Sequence, residues 1–183
     1  MQSRYRSVLA GLILAVSTAA FCQQDPMVGG AAMYANKNIV ENAMNSQDHT
    51  TLVTAVKAAG LVDTLQGPGP FTVFAPTNEA FAKLPAGTVD NLLKPENKDM
   101  LTKVLTYHVV AGRVTADDLK KMIQDGHGKA ELKTVSGGML WAMIHDGHVV
   151  LKDEKGGMAV VTIPNVYQSN GIIHVVDAVL LPN

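Results

Sequence analysis

The order of local signals along the chain predicts an α+β fold. Apolar residues recur at helical spacing through the first half, whereas the second half consists of short β-branched or alternating runs broken by Gly, Asp and Asn. Between two of those runs stands Asp146-Gly147, a pair suited to the positive φ angles of a two-residue type I′ hairpin. Helices followed by strands, rather than a strict alternation of the two, argue against a nucleotide-binding parallel sheet.

The N-terminus reads as an export signal. Arg4 and Arg6 give a positive start, and residues 8–21 are apolar except for Ser17 and Thr18. This run is short of the roughly 20 apolar residues that span a bilayer. Small residues at Ala20 and Cys22 place cleavage after Cys22, just before Gln23-Gln24-Asp25. Two alternatives stay open: cleavage after Ala20, which leaves Cys22 in the mature chain, or lipidation of Cys22, although Phe21 is bulky where a lipobox wants a small residue. Residues 23–37, with Gly29-Gly30, read as an N-terminal arm or linker, and residues 38–182 as the domain.

Within that domain Ile39, Val40, Ala43 and Met44 share one helical stripe, and Leu52, Val53, Val56 and Ala59 share a second. Asp48 is expected to cap the second helix and Gly60 to stop it. Gly67-Pro68-Gly69-Pro70 is a turn that delivers a strand over 71–75. Pro76 ends this strand, and the Thr77 hydroxyl can cap the helix carrying Phe81. Short helices are expected at 89–93 and 99–105, separated by Lys94-Pro95. Strands follow at 107–110, 132–135, 140–145, 148–152, 159–163 and 172–181. Thr115 to Leu119 starts a helix, its two acids Asp117 and Asp118 favoured by the macrodipole.

Composition removes several functions. The chain has 183 residues, 47% hydrophobic and 17% charged, which is globular rather than disordered. Its net charge of −1 becomes −3 once Arg4 and Arg6 leave with the signal, and no basic run appears. With only four Phe, four Tyr and one Trp, nucleic acid is not an expected partner. No G-x-S-x-G, phosphate-binding loop, H-E-x-x-H or C-x-x-C pattern is present, and with cleavage after Cys22 the mature chain has no thiol for catalysis. No catalytic residue, resident metal or cofactor is expected.

Three segments carry a family resemblance. Residues 71–81 read FTVFAPTNEAF, Tyr107-His108 follows the next helices, and residues 171–182 read GIIHVVDAVLLP. In order and spacing they resemble the two signatures and the Tyr-His pair of fasciclin domains, over nearly the whole mature chain. The resemblance implies a compact wedge of two β-sheets flanked by several short helices. It also implies an extracellular, non-enzymatic role in cell adhesion or surface interaction.

Each motif has a structural reading beside the functional one. In FTVFAPTNEAF the apolar residues are core and the polar ones turn or cap. His174 and Asp177 lie on opposite strand faces and cannot pair, and Asp177 is expected to accept backbone hydrogen bonds. His49 and His127 are assigned to loops without partners. Tyr107 and His108 are candidate partner contacts by resemblance, yet beside Val109 and Val110 His108 should be buried, neutral and hydrogen-bonded first. On the Asp146-Gly147 hairpin, His145 is expected to face His148, Met143 to face Val150 and Trp141 to face Lys152. Leu140, Ala142, Ile144, Val149 and Leu151 make the better core face, which leaves Met139, Trp141, Met143 and His145 on the other side with His148. Cover by helices or by the arm is the first reading of that side, and a protein-contact patch the second. A Cu(I) site of thioethers and imidazoles is the third, because two histidines alone make a poor closed site.

Overall fold

A computed structural model describes residues 25–183. The proposed signal, residues 1–22, lies outside them.

The described chain begins with a small hairpin, β1 (Met27–Val28) and β2 (Ala31–Ala32), turning on Gly29 and Gly30 at positive φ. The residues read as an arm or linker pack against the domain. Val28 and Met33 are buried in the main core, Gln47 N–H donates to Gly29 O, and Ser169 N–H donates to Lys37 O. Two large apolar side chains gain more by burial than a short tether gains in freedom.

Helix α1 (Ile39–Asn45) starts in a capping box of Asn38 and Glu41. A 3₁₀ turn at Gln47–His49 leads into α2 (Thr50–Ala59), which Gly60 ends in the left-handed conformation. Asp48 does not cap α2; that start has no side-chain cap of its own. The cap comes from elsewhere in the chain. Asn78 Oδ1 accepts from Thr51 N–H at 3.0 Å, while its amide donates to Gln47 O at 2.8 Å. The same device recurs twice. Asn170 Oδ1 accepts from Ile39 N–H at the start of α1, and Asn165 Oδ1 accepts from Ala116 N–H at the start of α7 (Ala116–Asp125). Short helices leave their first N–H groups unsatisfied, so asparagines borrowed from distant elements lock helix to sheet.

Helix α3 (Val62–Gln66) precedes β3 (Phe71–Pro76); Thr77 then caps α4 (Asn78–Ala82) by accepting from Ala80 N–H at 3.3 Å. Helices α5 (Thr88–Leu92) and α6 (Lys98–Tyr107) follow, then β4 (Val109–Ala111). Strand expectations at 107–110 and 172–181 are therefore corrected at their ends. Tyr107 closes α6, His108 is its C-cap, and β9 (Gly171–Val176) stops before Asp177. After α7 come β5 (Ala130–Lys133), β6 (Met139–His145), β7 (His148–Lys152) and the long β8 (Met158–Gln168).

The strands run in the order β4-β3-β9-β8-β7-β6-β5 and make two sheets that share β8. Strand β8 serves both because its register slips between Val161 and Val166, where Pro164 and the positive φ of Asn165 bend it. The outer strands of the series meet: Val110 bridges Thr134, and Val135 N–H donates to Val109 O at 2.8 Å. The sheet is thereby almost closed into a barrel, which removes much of its edge. All pairings are antiparallel except β3 with β9. That parallel pair is buried on both faces, as a doubly covered pair must be, with Thr72 and His174 as polar members of the interior face. Val73, Ala75, Ile173 and Val175 face α1 and α2, whereas Phe74 and Val176 face the interior that α7 plugs with Leu119 and Ile123.

Candidate functional site

The Tyr107-His108 pair sits inside the protein. Tyr107 is 0% exposed and His108 3%. Tyr107 O–H donates to Met139 O at 2.6 Å, and its oxygen accepts from Glu154 N–H at 3.2 Å. The phenol thus ties the start of β6 to the turn after β7, and burial pushes its pKa up to about 12. Gly138 is small because the Tyr107 ring lies against it, within 2.7 Å of where a Cβ would stand. His108 uses both ring nitrogens: Nδ1 lies 2.8 Å from Val104 O, and Nε2 accepts from Leu180 N–H at 3.0 Å. Those partners set the tautomer with the proton on Nδ1. Burial lowers its pKa to about 4, so the ring is neutral. Neither side chain offers a surface to a partner; the geometry gives the pair an internal role.

The other histidines divide by environment. His174 is buried, stacked on Phe74 with ring centroids 5.6 Å apart; its Nε2 lies 2.9 Å from Val114 O, and its Nδ1 accepts from Asn165 N–H at 3.3 Å. His49 is not in an open loop, as its polar surroundings in sequence implied. It is buried, with Nδ1 2.8 Å from Ser46 Oγ and Nε2 without a hydrogen-bond partner among the described residues. Burial lowers the pKa of both rings. Asp177 accepts from Val160 N–H at 2.7 Å and pairs with Lys83 at 3.2 Å, a structural use of its carboxylate.

The hairpin has the register its turn requires. His145 pairs with His148, Met143 with Val150 and Trp141 with Lys152 around Asp146-Gly147, both at positive φ. Leu140, Ala142, Val149 and Leu151 are buried toward the interior, and only Ile144 of that face is exposed, near the tip. On the outer face Met139, Trp141 and Met143 are half-buried and His145 and His148 are exposed. His145 Nε2 lies 3.4 Å from Asp146 Oδ2, its side chain 80% exposed. No group of three or more His, Cys, Asp or Glu side chains able to hold a metal occurs among the described residues.

Beside this face lies a broad open basin of about 440 Å³, with Trp141 and Met143 on one side and the turn carrying Glu154 and Lys155 on the other. The Trp141 indole N–H donates to Glu131 Oε1 at 3.2 Å, and Lys129 Nζ stands 4.9 Å from the ring centre. The turn is braced. Buried Asp153 accepts from Gly157 N–H at 2.6 Å and Leu181 N–H at 2.9 Å; Glu154 accepts from Met139 N–H at 3.0 Å and Asn183 N–H at 3.1 Å. The Met139 N–H bond holds the Glu154 carboxyl below its ordinary range. Sequence reading placed Lys152 opposite Trp141 but did not find this basin, because its far wall is the turn after β7, held by bonds from Leu181 N–H to Asp153 and from Met139 N–H to Glu154. Gly156-Gly157 after four charged residues, Lys152 to Lys155, was the one local sign of a turn there. By contrast, the cavities under α1 and α2, about 40 and 30 Å³, are apolar and too small for an organic ligand.

A family model described as Fasciclin domain matches residues 47–182. Protein sll1483 of Synechocystis is 45% identical over 181 residues, covering 96% of this chain and 93% of that protein. The cell surface glycolipoprotein MPB83 of Mycobacterium bovis is 36% identical over 170 residues, covering 90% and 70%. The structure of a FAS1 domain pair from the insect cell adhesion molecule Fasciclin I superposes with a TM-score of 0.70 at 22% identity. That likeness covers 79% of this chain and 51% of the other, and it supports the fold.

Proposed function

The chain belongs to the fasciclin domain family, and on that premise we propose that it is an exported, non-catalytic interaction module acting in adhesion or surface contact. Its partner is an extracellular protein or polysaccharide, held by the outer face of the β6–β7 hairpin. One observation carries the reading: Trp141, Met143, His145 and His148 stand on the accessible side of a hairpin whose other side is core. The name of the mycobacterial relative places that relative at the cell surface, which supports an exported location here. No helix among the described residues is long and apolar enough to cross a membrane.

Binding of the mature chain to extracellular protein and polysaccharide fractions tests this reading. Trp141→Ala should abolish capture while leaving the urea midpoint nearly unchanged; undiminished capture removes the hairpin face from the account. Export is tested by intact mass, with Gln23 expected as the first residue. A diacylglycerol adduct on Cys22 would replace a freely exported protein with an anchored one.

A second reading takes the same face as a soft-metal binder, since His145 faces His148 with Met143 two residues away. Titration with Cu(I) decides between them. Submicromolar binding lost in His145→Ala puts the metal reading first; weak binding indifferent to that change removes it.

A further inference from the structure

We propose that the basin between Trp141 and the turn after β7 binds an acidic polysaccharide, one bearing uronate or sulfate groups. The proposal rests on the reading of this hairpin face as the interaction surface and names the chemistry of its partner.

Charge at the basin is sorted by position. Three carboxylates are nearby, and each is already engaged: Asp153 by Gly157 and Leu181 N–H, Glu154 by Met139 and Asn183 N–H, Glu131 by the Trp141 indole N–H. The lysines are exposed. Lys152 and Lys155 line the basin, Lys133 pairs with Met139 on the same face, and none of the three forms an ion pair among the described residues. The carboxylates keep their charge, but Lys129, Lys152 and Lys155 outnumber Asp153 and Glu154 in the lining. With the two carboxylates held by backbone N–H groups, the exposed ammonium groups are the ones free to meet an anion whose charges are spaced along its length.

The apolar part selects the carrier of that charge. Trp141 and Met143 give a half-buried wall against which the C–H face of a pyranose ring can pack, with Lys129 as a cation held over the indole. A basin of about 440 Å³ that is open to solvent admits sugar rings. The braced turn adds preorganisation. Its Asp153 carboxylate lies 2.6 Å from where a Cβ on Gly157 would stand, so Lys155 is presented from a loop with little room to rearrange.

Trp141 is the one tryptophan in the chain, so its emission reports this basin alone. The mature protein is titrated at low salt with oligogalacturonate, with a neutral galactose oligomer of equal length, and with poly-glutamate. A saturable emission change with oligogalacturonate alone is expected, weakening as the Debye length falls from about 30 Å at 0.01 M to about 8 Å at 0.15 M salt. The double variant Lys152→Ala/Lys155→Ala, with its urea midpoint unchanged, should bind about tenfold more weakly. Equal response to the neutral sugar, equal response to poly-glutamate, no response, or full binding by the double variant overturns the proposal. Should it fail while Trp141→Ala still abolishes capture of an extracellular fraction, the sugar chemistry is wrong and the hairpin surface stands. If Trp141→Ala changes nothing in either assay, the surface itself is wrong.

Discussion

His108 shows how a buried imidazole makes a fold pH-dependent. Its pKa falls from 6.5 in the unfolded chain to about 4 in the folded one, so the unfolded state binds the extra proton between those values. Stability is therefore complete above pH 6.5 and falls as the pH drops toward 4, by up to roughly 3 kcal/mol for this residue. His49 and His174 shift in the same direction and add to the slope. Urea unfolding across this range should give a flatter curve for His108→Ala than for the parent. At neutral pH the same variant should lose about 1–3 kcal/mol, because Leu180 N–H and Val104 O are left without partners. If stability holds and partner capture disappears instead, His108 is a contact residue. Tyr107→Phe is a sharper test of its neighbour. It keeps the buried ring and removes the hydroxyl that joins Met139 O to Glu154 N–H, at a cost of about 1–3 kcal/mol. Because that hydroxyl braces the basin's turn, backbone amide shifts at residues 153–157 should move with it.

The hairpin and the helix starts are where local and distant chemistry diverge. Gly147 has a φ of 80°, a conformation that Cβ atoms resist, although nothing stands near it in space. Gly147→Ala should therefore cost about 1 kcal/mol or more through the backbone alone, measured as a lowered urea midpoint with β6–β7 cross-strand contacts retained. The hairpin was legible from the sequence because its turn type, register and facing are set by residues adjacent in the chain. The cap of α2 was not. Asp48 stood in the right place, but Asn78 reaches Thr51 N–H from the start of α4. A cap supplied across 27 residues leaves no periodic or local trace.

At the scale of the whole molecule, the N-terminal hairpin is part of the core although the family model begins at residue 47. Val28 and Met33 are 3% and 2% exposed. A chain starting at residue 38 loses both and should be less stable by roughly 3–6 kcal/mol, at about 1.5–3 kcal/mol for each buried side chain. Chemical unfolding of the truncated protein measures this directly; an unchanged midpoint would show that the arm covers the core without stabilising it. The near-closed sheet sets the other global property. Because Val135 N–H donates to Val109 O, the outer strands β4 and β5 protect one another.

The sequence by itself determined the α+β class, the positions of most elements, the register of the hairpin and which of its faces is core. Each of these follows from periodicity or from turn residues within a few positions, where local sterics and burial act in the same direction. Tertiary structure alone decided where those elements end and what they leave open. Tyr107 and His108 looked like the start of a strand because Val109 and Val110 follow, yet α6 runs through Tyr107, since that is what places its hydroxyl between Met139 and Glu154. His49 looked like a loop residue among polar neighbours and is buried, because the covering side chains come from β3 and β9. The basin likewise depends on the turn after β7: the hairpin register brings Lys152 to Trp141, but Lys155 is placed by Asp153, which is held by Gly157 N–H and by Leu181 N–H from 28 residues away.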